Sequence, residues 1–231
     1  MVQILIDYAN KSNIILELNE RNKYGDYIIL RAITNNNIKM DHLLINYANK
    51  NNIILELDEK ENETGNYPFL EACIKNNLEM VQILIDYVNK NNIILELNEK
   101  ENKYGSYPLL WAITKNNIKI IQILIDYANK NNIILKLNEK NKNGSYPLLS
   151  ATDKNNLEIV QILINYVNKN NIILELNEKN EDEYYPLLMA CIRNNLEMVQ
   201  ILIDHANKNN IILKLNEKKN IWRLSNFTGY W

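Results

Sequence analysis

Apolar and polar positions alternate along this chain in three rhythms that recur in the same order. "YPLLWAIT", Tyr107 to Thr114, reads as a short helix opened by proline in its first turn, where the missing N–H costs nothing. "IKIIQILIDYAN", Ile118 to Asn129, is apolar almost all round, with polar Gln122 and Asp126 four residues apart. A helix of that kind is sandwiched between neighbours. Between the two stands "NN", Asn116-Asn117, and asparagine tolerates the left-handed backbone that ends helices. The third rhythm, in "KNNIILELNEKNKNG", alternates in the manner of a strand. It reads either as an extended finger or as an extension of the second helix. The expectation is a helix running to about Asn131 and then an extended crossing.

These rhythms belong to one repeated unit. "MVQILIDY" and its variants begin at Met1, Met40, Met80, Ile120, Ile159 and Met198, spaced by 39, 40, 40, 39 and 39 residues. Pro68, Pro108, Pro147 and Pro186 occupy one slot, with Ile28 in the first copy. Gly25, Gly65, Gly105 and Gly144 occupy another, and Tyr27, Tyr67, Tyr107, Tyr146 and Tyr185 a third. Neither helix buries its apolar surface alone, so the units must stack. The residue before the Tyr is Asp26, Asn66, Ser106 or Ser145, all preferred helix-capping types, and a side-chain cap is expected there.

On this order of Gly turn, Tyr-Pro-Leu helix start, short turn and Leu-rich second helix, the unit resembles the ankyrin repeat. "NKNGSYPLLSATDKNNLEIVQILINY", Asn141 to Tyr166, follows that pattern without a gap. The resemblance implies an all-α, ankyrin-like helix-pair solenoid with elongated inter-repeat loops. It covers residues 1–217, as an N-terminal half unit and five units starting near 22, 62, 102, 141 and 180. The rival is another helical-pair solenoid of the HEAT kind, whose units run about 40–47 residues; the Gly-x-Tyr-Pro-Leu slot and the short first helix count against it. There are departures from the family pattern. Its Thr is Tyr in every copy, which removes the usual cap and leaves the preceding Asp, Asn or Ser to replace it. Its His is Leu30, Leu70, Leu110, Leu149 or Leu188. The six or seven surplus residues fall after the second helix and lengthen the outer edge.

Composition narrows the function classes. The net charge is −2 with no block of one sign, which argues against a nucleic-acid partner, since phosphate binding needs clustered Lys and Arg. No apolar run approaches the roughly 20 residues of a membrane span. Two cysteines make no disulfide framework, so a cytoplasmic setting is the default.

A catalytic or metal site is hard to assemble. His42 and His205 fall in different slots, His205 in place of a repeat Tyr, and both read as drift at half-exposed positions. Cys73 and Cys191 share one slot three units apart and read as small buried core residues. The acids of "ELDEKENE" and "ELNEKNEDE" are interleaved with Lys and read as a solvated edge. No cofactor and no enzymatic activity are expected.

The positions that change between copies carry what remains. After "YPLL" and its variants come Arg31, Glu71, Trp111, Ser150 and Met189, and near the end of the same helix Thr114 and Lys115 stand in one copy. In ankyrin-type arrays such positions line the inner face and finger tips that bind proteins, so the resemblance implies a protein partner for these residues. The reading is a non-catalytic protein-interaction scaffold; the alternative is a structural spacer or a homotypic assembly module. Two expectations concern the ends. Val2, Leu5 and Ile6 are expected to present apolar surface, as in a fragment of a longer array or an end that self-associates. Residues 218–231, with Trp222, Phe227, Tyr230 and Trp231, are expected to form a tail that caps the last unit.

Overall fold

The computed structural model describes residues 2–214, so the aromatic tail lies outside the described residues. Within them are eleven α-helices and no strand. A single helix, α1 (Val2–Ser12), precedes five helix pairs: α2 (Ile28–Thr34) with α3 (Ile38–Lys50), α4 (Pro68–Ile74) with α5 (Leu78–Asn91), α6 (Pro108–Thr114) with α7 (Ile118–Lys130), α8 (Pro147–Asp153) with α9 (Leu157–Asn170), and α10 (Pro186–Ile192) with α11 (Leu196–Lys208). The chain divides into two compact units at Leu135/Lys136, the first holding α1 to α7 and the second α8 to α11. In the first unit α4 lies between α2 and α6, and α5 packs on α7; in the second, α8 packs on α10 and α9 on α11.

Each asparagine of the short turn has its own role. The first, Asn36, Asn76, Asn116, Asn155 or Asn194, takes a left-handed φ of 51–58° and ends the short helix. The second, Asn37, Asn77, Asn117, Asn156 or Asn195, is the N-cap of the long helix, and its side chain accepts from the N–H three residues on. The sequence pattern assigned this dipeptide only to the helix end. A further left-handed Asn closes each long helix, at Asn13, Asn52, Asn92, Asn132, Asn171 and Asn210. The long helix α7 therefore stops at Lys130, as the pattern indicated. The short helices differ from expectation: the N-cap is the Tyr itself, extended and without a side-chain cap bond.

The return segment is extended but pairs with no strand, because side chains take the place of a neighbouring strand. Leu55 and Leu57 are buried, while Ile54 is exposed and Glu56 between the leucines is half-buried, so the alternation is genuine. The amide of Asn19 donates to the Ile54 carbonyl (2.7 Å) and accepts from the Glu56 N–H (3.2 Å). Asn138 does the same for Ile173 and Glu175, and Asn177 for Ile212 and Lys214. Two tyrosines hold the same segment. The Tyr87 hydroxyl accepts from the Leu55 N–H (3.0 Å) and donates to the Ile53 carbonyl (2.9 Å). From the other side, the buried Tyr27 hydroxyl donates to the carbonyls of Glu56 (2.7 Å) and Glu59 (2.9 Å). Tyr127 and Tyr67 hold residues 93–99 in the same way.

One copy breaks this pattern. Asp58 stands where the other units carry Asn, and Oδ2 accepts from the Glu96 N–H (3.1 Å) while Oδ1 is buried without a partner. A carboxylate has no N–H to offer a carbonyl. Burial pushes the Asp58 carboxyl up to about 6. Asp58→Asn is expected to stabilise the protein by about 1–2 kcal/mol at pH 7.5, where the wild-type carboxylate is charged, and by much less at pH 5. Denaturant melts of both forms at the two pH values check this; equal stability of the two proteins at pH 7.5 would refute it.

Several residues sit elsewhere than expected. Cys73 is buried, but Cys191 is exposed, because among the described residues no further short helix packs on α10. His205 is buried rather than half-exposed, and burial lowers its pKa. At the N-terminal helix, Val2 and Ile6 are buried, while Ile4, Leu5 and Tyr8 are exposed. The acidic edge is solvated only in part. The carboxylate of buried Glu101 accepts from the N–H groups of Tyr104 and Ser106, which shapes the loop tip. Glu61 does the same with Glu63 and Thr64; burial alone would raise its pKa, but these bonds outweigh that and lower it.

Candidate protein-binding site

The variable positions fall into register because the short helices are short. A helix of seven residues beginning at the fixed Tyr-Pro presents its fourth residue and its last turn in the same place in every copy. In the first unit this sets Arg31, Glu71 and Trp111 on successive short helices. In two of these copies the residue before the Tyr meets the fourth residue. Arg31 pairs with Asp26 at 2.6 Å, and that bond raises the guanidinium pKa. The Asn66 amide donates to the Glu71 carboxylate (2.8 Å), which also pairs with Lys75 (3.4 Å). The sequence offered Asp26 and Asn66 as helix caps, yet in these copies each meets the fourth residue of the helix instead.

Trp111 has a different neighbourhood. Its indole meets the Tyr104 ring edge-on, with centroids 5.9 Å apart and planes at 78°. Lys115 lies 5.6 Å from the indole centroid and Lys103 4.9 Å from that of Tyr104. Thr114 spends its hydroxyl on the Leu110 carbonyl (2.8 Å). Lys103 and Tyr104 were absent from the sequence-derived set. Their signal was the Lys-Tyr-Gly run, also present as Lys23-Tyr24-Gly25, where Lys23 likewise stands 4.8 Å from its ring neighbour.

In the second unit Ser150 is half-buried on α8 and Met189 is buried on α10. Asp153 and Arg193 pair at 2.6 Å between the ends of those helices. Glu71 and Met189 are therefore not surface groups; Glu71, only 3% exposed, acts by fixing Asn66 and Lys75. Among the described residues no three His, Cys, Asp or Glu side chains converge as metal ligands, and no helix is long and apolar enough to cross a membrane.

The model of the family described as ankyrin repeats, in three copies, matches residues 49–134 and again 90–173, and that of a single ankyrin repeat matches 182–211. The chain belongs to the ankyrin repeat family. No curated protein matches it. Ankyrin repeats generally mediate protein–protein interaction and are typically non-enzymatic. As an ankyrin protein this one is unusual in its stitching. Its family His slot holds buried Leu30, Leu70, Leu110 and Leu149, and contacts between successive pairs run through tyrosine hydroxyls and loop asparagines instead.

Proposed function

We propose that this ankyrin chain is a non-catalytic scaffold that binds a protein through the variable edge of its short helices and loop tips. Arg31, Trp111, Thr114 and Lys115 contact the partner in the first unit and Ser150 in the second, with Glu71 and Met189 backing them. The reading is supported above all by the change of partner at one fixed position, the fourth residue of the short helix: Arg31 pairs with Asp26, Glu71 accepts from Asn66, and Trp111 meets Tyr104. Surface residues that differ while their backbone does not are where specificity is set. The proposed setting is intracellular, in keeping with two cysteines that are both free.

A second reading, self-assembly, has its own support. Every return segment exposes an isoleucine in one slot, Ile15, Ile54, Ile94 and Ile134 in the first unit and Ile173 and Ile212 in the second, and the first segment exposes Ile14 as well. A photo-crosslinking amino acid placed singly at Arg31, Ser150, Ile54 or Gln122 in the full chain, in its source cell, separates the two. The scaffold reading expects adducts to another protein from Arg31 and Ser150 and none from exposed Gln122. Adducts to a second copy of the chain, from Ile54 alone, would replace it with the assembly reading.

A further inference from the structure

Trp111 and the three residues around it form a patch with its own chemistry. Lys103 and Lys115 are exposed, and neither makes an ion pair within the described residues; their contacts are the faces of Tyr104 and Trp111. Two neighbouring carboxylates are already engaged, although Glu101 still acts on Lys103 through its charge. Glu101 is buried and bound to the loop backbone, and Glu71 is buried against Asn66 and Lys75. Tyr104 is 42% exposed, Trp111 is half-buried, and the indole N–H is covered with no acceptor. Two ammonium groups thus flank an accessible ring pair in a chain whose net charge is −2. The corresponding positions on α2 and α4 differ: there Arg31 and Lys75 already have carboxylate partners.

We infer that Trp111, Tyr104, Lys103 and Lys115 form a docking site for an acidic protein segment, one that carries an apolar side chain beside Asp or Glu. The inference rests on the reading of this edge as protein-binding. The apolar side chain packs on the ring pair, whose edge-to-face contact is already made before binding. The flanking carboxylates meet the two ammonium groups, which keep their ring contacts while gaining an anion. A nucleic-acid strand fits less well, because a phosphate backbone needs a continuous run of cations, and here exposed Glu63 and the carboxylates paired with Arg31 and Lys75 interrupt it.

The test is selection of short random peptides by display against the full chain, followed by fluorescence polarisation of the selected peptides. The expected peptides combine Asp or Glu with Leu, Phe or Trp. Their affinity should fall about tenfold or more in Trp111→Ser and in the double variant Lys103→Glu/Lys115→Glu, and persist in Lys103→Arg/Lys115→Arg. It should also weaken several-fold as salt rises from about 0.05 to 0.3 M. The charge variants alter only exposed side chains, and an unchanged thermal melt confirms their fold. Selected peptides that are basic or uncharged, or whose binding responds to Arg31→Ala but not to these variants, overturn this site and leave the scaffold reading standing. Failure to select any binder overturns both. Tighter binding of single-stranded oligo-dT than of any peptide, lost in the same lysine variants, would reassign the patch to nucleic acid.

Discussion

Replacing Asp41 with valine is expected to stabilise the protein by about 3–4 kcal/mol at pH 8. The slot holds Val81, Ile121 and Val160 in later long helices, all fully buried. Asp41 is equally buried, at 0% exposure, and neither carboxylate oxygen has a hydrogen-bond partner. Burial alone pushes its carboxyl up to about 7. The folded chain therefore binds a proton that the unfolded chain, with a carboxyl near 4, does not hold at neutral pH. Protonation favours the fold, so wild-type stability rises as pH falls from about 8 towards 4 and levels off below the unfolded value. The Asp41→Val protein lacks this slope, and its advantage shrinks in acid. Chemical denaturation across that range measures both effects; a pH-independent difference between the proteins would show that Asp41 is not buried as a carboxylate. Raised acids elsewhere, such as Asp58, add a smaller slope of the same sign to both curves.

Removing one tyrosine hydroxyl should cost nearly as much. Tyr87→Phe keeps the ring and deletes the atom that satisfies both the Leu55 N–H and the Ile53 carbonyl. Leu55 is buried, so its N–H finds no water in exchange, and the expected loss is about 2–3 kcal/mol. The chain carries the reverse case. His205 occupies the same slot in α11, and neither ring nitrogen reaches the return segment; its contacts are with Asn209. His205→Tyr is expected to restore the latch on residues 172–174 and to stabilise by about 1–2 kcal/mol. Thermal melts of the two variants should move in opposite directions. Hydrogen exchange should localise the change to the Leu55 amide in one and the Leu174 amide in the other. A Tyr87→Phe protein that melts with the wild type would mean that the hydroxyl does not hold the segment.

The repeat period, the proline at each short-helix start and the left-handed asparagine at its end were legible because each is a local backbone rule. Pro68 or Asn76 needs no distant partner to act. The dual use of Asn76 and Asn77 was hidden because one residue type serves both as helix stop and as cap. Tyr27 and Tyr87 read as framework, but their hydroxyls act on residues 29 to 34 positions away, beyond any local pattern. Glu101 and Asp58 looked like solvated charges because composition does not reveal which loop carboxylates fold back onto backbone N–H groups. At the binding edge, Trp111 and Lys115 stood out by differing from their counterparts. Lys103 and Tyr104 did not, because they sit in a loop tip whose approach to Trp111 depends on the turn shaped by Glu101.

The tyrosine latches have a consequence for how such a chain changes length. Tyr27, Tyr67 and Tyr146 each reach residues 29 and 32 positions ahead, and Tyr87 and Tyr127 each reach 32 and 34 behind. A gene segment encoding one period therefore brings both halves of its own fastening. Duplicating or deleting a whole period within either unit leaves every seam with the hydroxyl and the carbonyl it requires, so copy number is free to drift by recombination without any new interface evolving. An insertion of half a period would carry the hydroxyl away from its target.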